Sequence, residues 1–258
     1  MDGKLLGFVP TLFFLGAVPV IAYLGSSREM AKYWVSFISI LLSYEALQGI
    51  AAPLAASDGI FAIYNVDRMI WGFNLTGWIQ TSLNSPAMTA VTAFLYTLHF
   101  PLIIATSLII WYAKRELFGR YVTAMVLTSY ASLVTFVLLA TAPPWYQGVA
   151  TNLYQSAYVS ILPQGVISIQ SLVEADKFAA FPSLHAAYVI IFSYFMIKLD
   201  RRLALVAIPI TVGVLFSTLY LGQHYLIDLI GGAVYALIPC LIAERFHIHV
   251  PVAQPKAA

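Results

Sequence analysis

Three apolar stretches near the carboxyl end decide the fold: SLHAAYVIIFSYFMIKL at 183–199, LALVAIPITVGVLFSTLYL at 203–221 and YLIDLIGGAVYALIPCLIAE at 225–244. A membrane-spanning helix needs about 20 predominantly apolar residues, with a range of about 17–25. All three stretches fall within that range, and only a few residues separate each from the next. They predict three consecutive, antiparallel membrane helices.

The composition of the whole chain also indicates that it lies in a lipid bilayer. Of 258 residues, 61% are hydrophobic and only 9% are charged, and the mean hydropathy is +0.85. A soluble domain carries about 25% charged residues, so this chain has too few charges to cover a surface that faces water. Four further apolar stretches, at about 5–25, 33–56, 87–112 and 121–141, raise the predicted number of spans to seven.

We expect these spans to form one all-α integral membrane domain over residues 1–258. Residues 1–86 would supply N-terminal spans and an interfacial helix, 87–246 the core with the functional site, and 247–258 a tail. The long connections are 57–86 and 142–182. The first stretch resembles a signal peptide, which would leave six spans, but its apolar run is long for one and favours a retained span.

The positive charges predict the orientation. With seven spans, one face receives only Lys4, Arg68 and Lys177 of the 13 Lys and Arg residues, and the other face receives the rest. Cytoplasmic loops collect Lys and Arg. The N-terminus and both long connections are therefore expected outside, and the C-terminus in the cytoplasm.

Several ionisable residues lie at membrane depth, where they are costly and tend to mark function. His224 and Asp228 are four residues apart, which places them on one face of a helix. His185 begins the fifth predicted span, and Ser217 lies near the end of the sixth. Because consecutive spans are antiparallel, these four residues are expected at one end of the bundle, on the outer side.

This set of residues suits nucleophilic phosphoryl transfer. A carboxylate beside one ring nitrogen of a histidine fixes the tautomer and makes the other nitrogen a better nucleophile or base. One histidine would attack phosphorus and the second would protonate the leaving oxygen. Pro182 is well placed to begin the helix of the fifth span, and Ser183 with the first free amides of that helix would hold phosphate oxygens. Such chemistry needs no metal and no cofactor, and nothing in the charge pattern indicates a nucleic-acid partner.

Other polar residues have plainer interpretations. Glu45 and His99 lie nearer span centres, where we expect them to pair with each other or with hydroxyls in a structural role. His247 and His249 are expected to be solvated in the cytoplasmic tail. Polar groups at span centres would instead favour a transporter with discontinuous helices, which is the alternative from another functional class.

Two segments resemble signature motifs of a known family. Pro182-Ser183-Leu184-His185 and Ser217-Thr218-x5-His224-x3-Asp228 resemble the motifs PSxxH and SRxxxxxHxxxD of the type 2 phosphatidic acid phosphatase (PAP2) superfamily. Leu184, Thr218 and the segment Ala142-Pro143-Pro144-Trp145-Tyr146 look more like its inositol phosphorylceramide synthase branch. That branch moves a phosphoinositol headgroup between lipids.

The resemblance implies a role for each motif residue. His224 would be the nucleophile that becomes phosphohistidine, Asp228 would orient it, and His185 would be the general acid. Ser183 and Ser217 would help to bind phosphate. The resemblance also implies an integral membrane enzyme with a PAP2-like core.

Cationic and aromatic side chains complete the predicted site. Thr218 replaces the motif arginine, and the family's first motif, with a lysine and an arginine, is not recognisable. Arg68 and Lys177 are therefore candidates for phosphate binding on the outer face. Candidates for substrate contact are Trp145, Tyr146 and Tyr220. The first two, like Trp71 and Trp78, also fit an aromatic belt at the membrane interface.

The expected substrate is a membrane phospholipid or a polyprenyl phosphate. If a polyol or a second lipid resolves the phosphohistidine, the enzyme is a headgroup transferase, for example of phosphoinositol. If water resolves it, the enzyme is a phosphatase that acts on a polyprenyl phosphate, a polyprenyl diphosphate or phosphatidic acid.

Overall fold

The computed structural model describes residues 28–51, 62–161 and 178–250. Every regular element in these ranges is a helix, which confirms the all-α prediction. In chain order the helices are α1 (Arg28–Ala51), α2 (Ala62–Trp71), α3 (Leu75–Leu83), α4 (Pro86–Thr97), α5 (His99–Ala113), α6 (Glu116–Leu138), α7 (Leu153–Ile161), α8 (Leu184–Leu199), α9 (Ala204–Tyr220) and α10 (Leu226–Arg245). A 3-10 turn at Arg201–Leu203 joins α8 to α9.

Several helices are suited to a membrane. Among the described helices, α6, α9 with its preceding 3-10 turn, and α10 are long and apolar enough to cross one, and α4 with α5 would make a fourth span as a bent unit. Helix α8 is apolar but shorter, at 16 residues. Predicted span 5–25 lies outside the described residues. The prediction of an integral membrane bundle is confirmed, and the number of seven spans stays a prediction.

Helix α8 lies at the centre and packs against α5, α6, α9 and α10. Its approach to α10 is close because Gly232 has no side chain there. A Cβ atom on Gly232 would lie 2.4 Å from the carbonyl oxygen of Ser183 and 2.8 Å from the Cβ atom of Ala186. Small residues of this kind let membrane helices pack backbone to backbone. The first turns of α8 and α10 are consequently brought together.

The predicted span 87–112 is not one straight helix. Helices α4 and α5 are bent by 43° at a break around Leu98. Pro101 explains the break, because proline has no amide hydrogen to donate to the carbonyl of Thr97 and its ring crowds the preceding turn. The predicted span 87–112 thus corresponds to a bent pair of helices, and the bend brings the residues around Leu98 towards α8.

The connection 57–86 contains two helices, α2 and α3, in its described part. The side chain of Asn74 caps α3 by accepting a hydrogen bond from the amide of Gly77 at 3.1 Å. Ser85 caps α4 in the same way, through the amide of Met88 at 3.1 Å, and Pro86 occupies the first helical position, which it favours. These caps define where α3 and α4 begin, and α2 packs against α10.

The chain after α10 is packed more closely than expected. The amide of Ile248 donates to the hydroxyl of Thr123 on α6 at 3.1 Å, and Val250 is buried. His249 is exposed, as predicted, but His247 is half-buried. The expectation of a solvated side chain was therefore wrong for His247 only, and Val250 packs into the core.

Candidate active site

The backbone of His224 is held by the turn between α9 and α10. The amides of Gln223 and His224 both donate to the carbonyl of Thr218, at 3.0 and 3.2 Å. The hydroxyl of Thr76, on α3, lies 3.4 Å from the carbonyl oxygen of His224. Gly222 makes the turn possible, since its φ of +76° is one that other residues rarely adopt. Hydrogen bonds of the turn thus fix the backbone of His224, independently of the contacts that its side chain makes.

Each nitrogen of the His224 ring faces a partner. Nδ1 lies 3.4 Å from Oδ2 of Asp228, which is an ion-pair distance rather than a short hydrogen bond. Nε2 lies 3.2 Å from Nδ1 of His185. Both His224 and Asp228 are buried. The structure therefore brings together the three residues that the sequence nominated for the chemistry.

Asp228 belongs to the first turn of α10 and caps it. Its Oδ2 atom accepts a hydrogen bond of 2.8 Å from the amide of Tyr225. Its Oδ1 atom is buried and accepts no hydrogen bond from the described residues. The carboxylate is thus fixed by the helix that carries it, with one oxygen shared between the helix amide and His224.

Ser183 and Asp228 connect the two helices of the site. The amide of Ser183 donates to the backbone carbonyl of Asp228 at 3.0 Å. The hydroxyl of Ser183 caps α8 by accepting from the amide of Ala186 at 3.2 Å. Pro182 therefore lies just before the cap residue, so the prediction that it begins the helix was wrong. The connection sets His185 opposite His224.

The predicted phosphate-binding hydroxyls are turned towards backbone. Ser217 donates to the carbonyl of Val214 at 2.7 Å and Thr218 to that of Leu215 at 2.8 Å, both within α9. The hydroxyl of Ser183 is engaged as the cap of α8. Phosphate binding by Ser183 and Ser217 stays a prediction.

The predicted cations lie at the edge of the site or outside the described ranges. Arg68 is exposed on α2, with Nη1 3.5 Å from the hydroxyl of Tyr64. The ring of Tyr64 lies 5.8 Å from that of Tyr225, next to His224 in sequence. Lys177 lies outside the described residues. A phosphate-binding role for either cation stays a prediction.

The predicted aromatic contacts have different positions. Tyr220 is fully buried, and its hydroxyl lies 3.0 Å from that of Thr89 on α4, so it joins α9 to α4. The amide of Trp145 donates to the carbonyl of Gly222 at 3.2 Å, beside the turn that carries His224. Tyr146 is exposed. Substrate contact by Trp145, Tyr146 or Tyr220 stays a prediction.

The structure places His99 beside the site, whereas the sequence predicted a structural role for it near a span centre. The ring of His99 is buried, and its centroid lies 3.9 Å from that of His185. Its Nδ1 atom is 2.7 Å from the carbonyl oxygen of Tyr96. The expectation that His99 pairs with Glu45 or hydroxyls was therefore wrong for His99, and the side chain of Glu45 lies outside the described part. Pro101 was the available signal, since it predicts a break that redirects this segment.

Comparisons with known proteins give consistent matches. The family model described as the PAP2 superfamily matches residues 62–242. The phosphoinositol dihydroceramide synthase of Bacteroides thetaiotaomicron is 26% identical over 237 residues, covering 84% of this chain and 78% of the relative. The inositol phosphorylceramide synthase of Candida albicans is 33% identical over 107 residues, 37% of this chain and 23% of the relative.

A second fungal relative is the inositol phosphorylceramide synthase catalytic subunit AUR1 of Saccharomyces cerevisiae. It is 27% identical over 203 residues, covering 72% of this chain and 49% of the relative. The chain therefore spans less than half the length of these two fungal proteins. No solved structure matches it.

Proposed function

Because this chain belongs to the PAP2 superfamily, we propose that it transfers a phosphorylated headgroup between membrane lipids through a covalent intermediate on His224. It is an integral membrane enzyme similar to the inositol phosphorylceramide synthase branch, so the transporter alternative is set aside. The observation that carries the mechanism is the placement of the His224 ring, with Asp228 at one nitrogen and His185 at the other.

This placement supports Nε2 of His224 as the reacting nitrogen. A carboxylate next to Nδ1 favours the tautomer with hydrogen on Nδ1, so Nε2 keeps its lone pair. Nε2 then accepts from the Nδ1–H group of His185 at 3.2 Å. Substrate phosphorus would enter between these two rings and replace this contact. Nucleophile and proton donor would then lie on either side of the reacting phosphate.

The first half of the reaction follows from these positions. Nε2 of His224 attacks phosphorus, and the bond between phosphorus and the lipid alcohol oxygen breaks. The ring of His185 is doubly protonated when substrate is bound, and its Nδ1 gives a proton to that oxygen, so the alcohol leaves neutral and His185 becomes a neutral imidazole. Asp228 stabilises the positive charge that forms on the His224 ring. The headgroup phosphate is now bonded to His224.

An acceptor hydroxyl would complete the reaction. His185, now a neutral imidazole, takes the hydroxyl proton as the oxygen attacks phosphorus, and the bond to Nε2 of His224 breaks. We propose a phosphoinositol headgroup and a ceramide-type acceptor, because the relatives are named as phosphoinositol dihydroceramide and inositol phosphorylceramide synthases. Water in place of the lipid hydroxyl would give a phosphatase.

Phosphate binding would rely on amides as well as on cations. Helix N-termini attract anions through their free amides and the helix dipole. The first turns of α8 and α10 meet at the site, where the amide of Ser183 bonds to Asp228. We propose that the start of α8, with Arg68 and Lys177, balances the charge of the phosphate, because the first amides of α10 already donate to Asp228 and Asp67. The site would face the exterior, with the C-terminus in the cytoplasm.

Product analysis of the purified protein tests this proposal. Phosphatidylinositol and dihydroceramide are supplied in mixed micelles, and both phosphoinositol ceramide and free inositol phosphate are measured. We expect wild type to form the ceramide product and His224→Ala to form none. Free inositol phosphate without the lipid product would replace the transferase with a phosphatase. Equal activity of the His224→Ala variant would exclude the phosphohistidine intermediate.

A further inference from the structure

The ring of His185 contacts two further rings, those of Tyr96 and His99, which lie at the bend between α4 and α5. The ring of Tyr96 is stacked on His185, with centroids 4.2 Å apart and an interplanar angle of 28°. The ring of His99 lies 3.9 Å away at 55°. Tyr96 and His99 also contact each other, at 5.7 Å. The orientation of the His185 ring is therefore set by residues far from it in sequence.

His99 has its own fixed orientation. A backbone carbonyl can only accept, so the 2.7 Å contact with Tyr96 places a hydrogen on Nδ1 of His99. This bond crosses the break in the helix, from the first residue of α5 back to the last turn of α4. The side chain is only 3% exposed. A buried histidine at membrane depth is expensive, and a leucine would fill this place without that cost.

Orientation matters most for the group that transfers a proton. If the ring of His185 rotated, Nδ1 would move away from Nε2 of His224 and from any phosphate that entered between them. General acid catalysis requires the donor to lie within hydrogen-bond reach of the leaving oxygen. Packing between helices α4, α5 and α8 would hold that donor in place throughout the reaction.

We propose that His99 is a positioning residue of the reaction, which with Tyr96 holds the His185 ring so that its Nδ1 faces the reacting phosphate. The inference rests on the function proposed above, in which His185 is the general acid. His99 makes no contact with the reacting atoms in this assignment. It acts through His185 alone.

A pair of substrates with different leaving groups separates this role from general support of the fold. Phosphatidylinositol has an alkyl leaving group that needs a proton. The 4-methylumbelliferyl ester of inositol phosphate has an activated aryl leaving group that departs without one. Activity is compared as kcat/KM of each donor, which reports the first half of the reaction and leaves out the second half, in which His185 acts as base with either donor. Loss of proton donation therefore lowers kcat/KM of the first substrate selectively, whereas a damaged fold lowers both alike.

The variants are His99→Leu, which removes the ring and its hydrogen bond, and His99→Asn, whose side-chain amide can still donate to the Tyr96 carbonyl. Ser107→Ala is the matched control, because Ser107 is also buried on α5 and its hydroxyl donates within its own helix, to the carbonyl of Ile104 at 2.8 Å. Monodispersity and thermal unfolding in detergent are measured for each variant.

We expect His99→Leu to lower kcat/KM for phosphatidylinositol by about 10- to 100-fold, a fraction of what general acid catalysis contributes. The value of kcat/KM for the aryl ester should change less than about threefold. His99→Asn should recover part of the loss, and Ser107→Ala should resemble wild type. An equal loss with both substrates, or no loss with either, would overturn the role of His99.

The two hypotheses fail in different ways. If His224→Ala keeps its activity, or wild type acts on neither substrate, the proposed function falls and the role of His99 falls with it. If His224→Ala is inactive while His99→Leu matches wild type on both substrates, only the role of His99 is wrong.

Discussion

The carboxylate of Asp67, on α2, accepts a hydrogen bond of 3.0 Å from the backbone amide of Ile227 in the first turn of α10. Asp67 is only 2% exposed. Asp67, which lies outside the two motifs, thus caps the helix that carries Asp228. The negative charge also lies at the positive end of the helix dipole, where it is favourable.

Removing this cap should destabilise the fold. Asp67→Ala leaves the part-buried amide of Ile227 without its acceptor, and we expect a loss of about 1–2 kcal/mol of unfolding free energy. Burial raises the pKa of the Asp67 carboxyl, so an uncharged acceptor of the same shape fits well. Asp67→Asn should therefore remain within about 1 kcal/mol of wild type. Thermal unfolding in detergent compares the three proteins, and an Asn variant as unstable as the Ala variant would contradict the cap.

The charge of Asp228 should matter more for activity than for folding. In Asp228→Asn the side-chain oxygen can still accept from the Tyr225 amide, but the charge beside His224 is lost. We expect kcat to fall by about 10²- to 10⁴-fold with little change in thermal unfolding. Asp200→Asn is the control, since Asp200 caps the 3-10 turn through the amide of Arg202 at 2.8 Å, away from the site. Comparable losses in both variants would argue against a role for Asp228 in the chemistry.

The close approach of α8 and α10 should tolerate no side chain at Gly232. In Gly232→Ala the new Cβ would meet the backbone of Ser183 at 2.4 Å and move α10 away from α8. We expect a cost of about 1–3 kcal/mol and a loss of activity as His224 separates from His185. Gly213→Ala is the control, because its Cβ would meet only the flexible side chain of Leu95, at 3.2 Å. Activity assays and thermal unfolding of both variants measure the difference.

The turn before His224 should be sensitive to a side chain at Gly222. Both Gly222 and Gly148 have positive φ, at +76° and +71°, so alanine costs about 1 kcal/mol at either place. Only at Gly222 would the Cβ also lie 2.6 Å from the carbonyl oxygen of Thr151. We expect Gly222→Ala to lose activity and Gly148→Ala to keep it. If the two variants have equal kcat, the contact with Thr151 does not shape the site.

The orientation in the membrane is testable with single cysteines. Cys240 is buried and is replaced by alanine. Gln155→Cys, at an exposed position on α7, should react with a membrane-impermeant maleimide in intact cells, because this segment is predicted outside. Lys114→Cys, at the other end of the bundle, should react only after permeabilisation. The reverse pattern would invert the topology.

The sequence by itself determined the class of fold and the centre of the site. Apolar runs of the right length are a local property, as is the spacing that places His224 and Asp228 on one helix face. Because consecutive spans are antiparallel, the order of the motifs was enough to bring His185 to the same end of the bundle. The burial of Val250 could not be predicted in this way, because its packing partners are distant in sequence.

Only the tertiary structure decided which residues surround His185 and His224. The bend at Leu98 depends on Pro101, but its direction depends on how α4 and α5 pack against α8, and that packing brings His99 to His185. Asp67 caps α10 for the same reason, because the fold of α2 and α3 returns the chain across the start of that helix. Contacts between segments that are distant in sequence leave no periodic pattern in the local sequence. They are therefore known only from the way in which the helices pack.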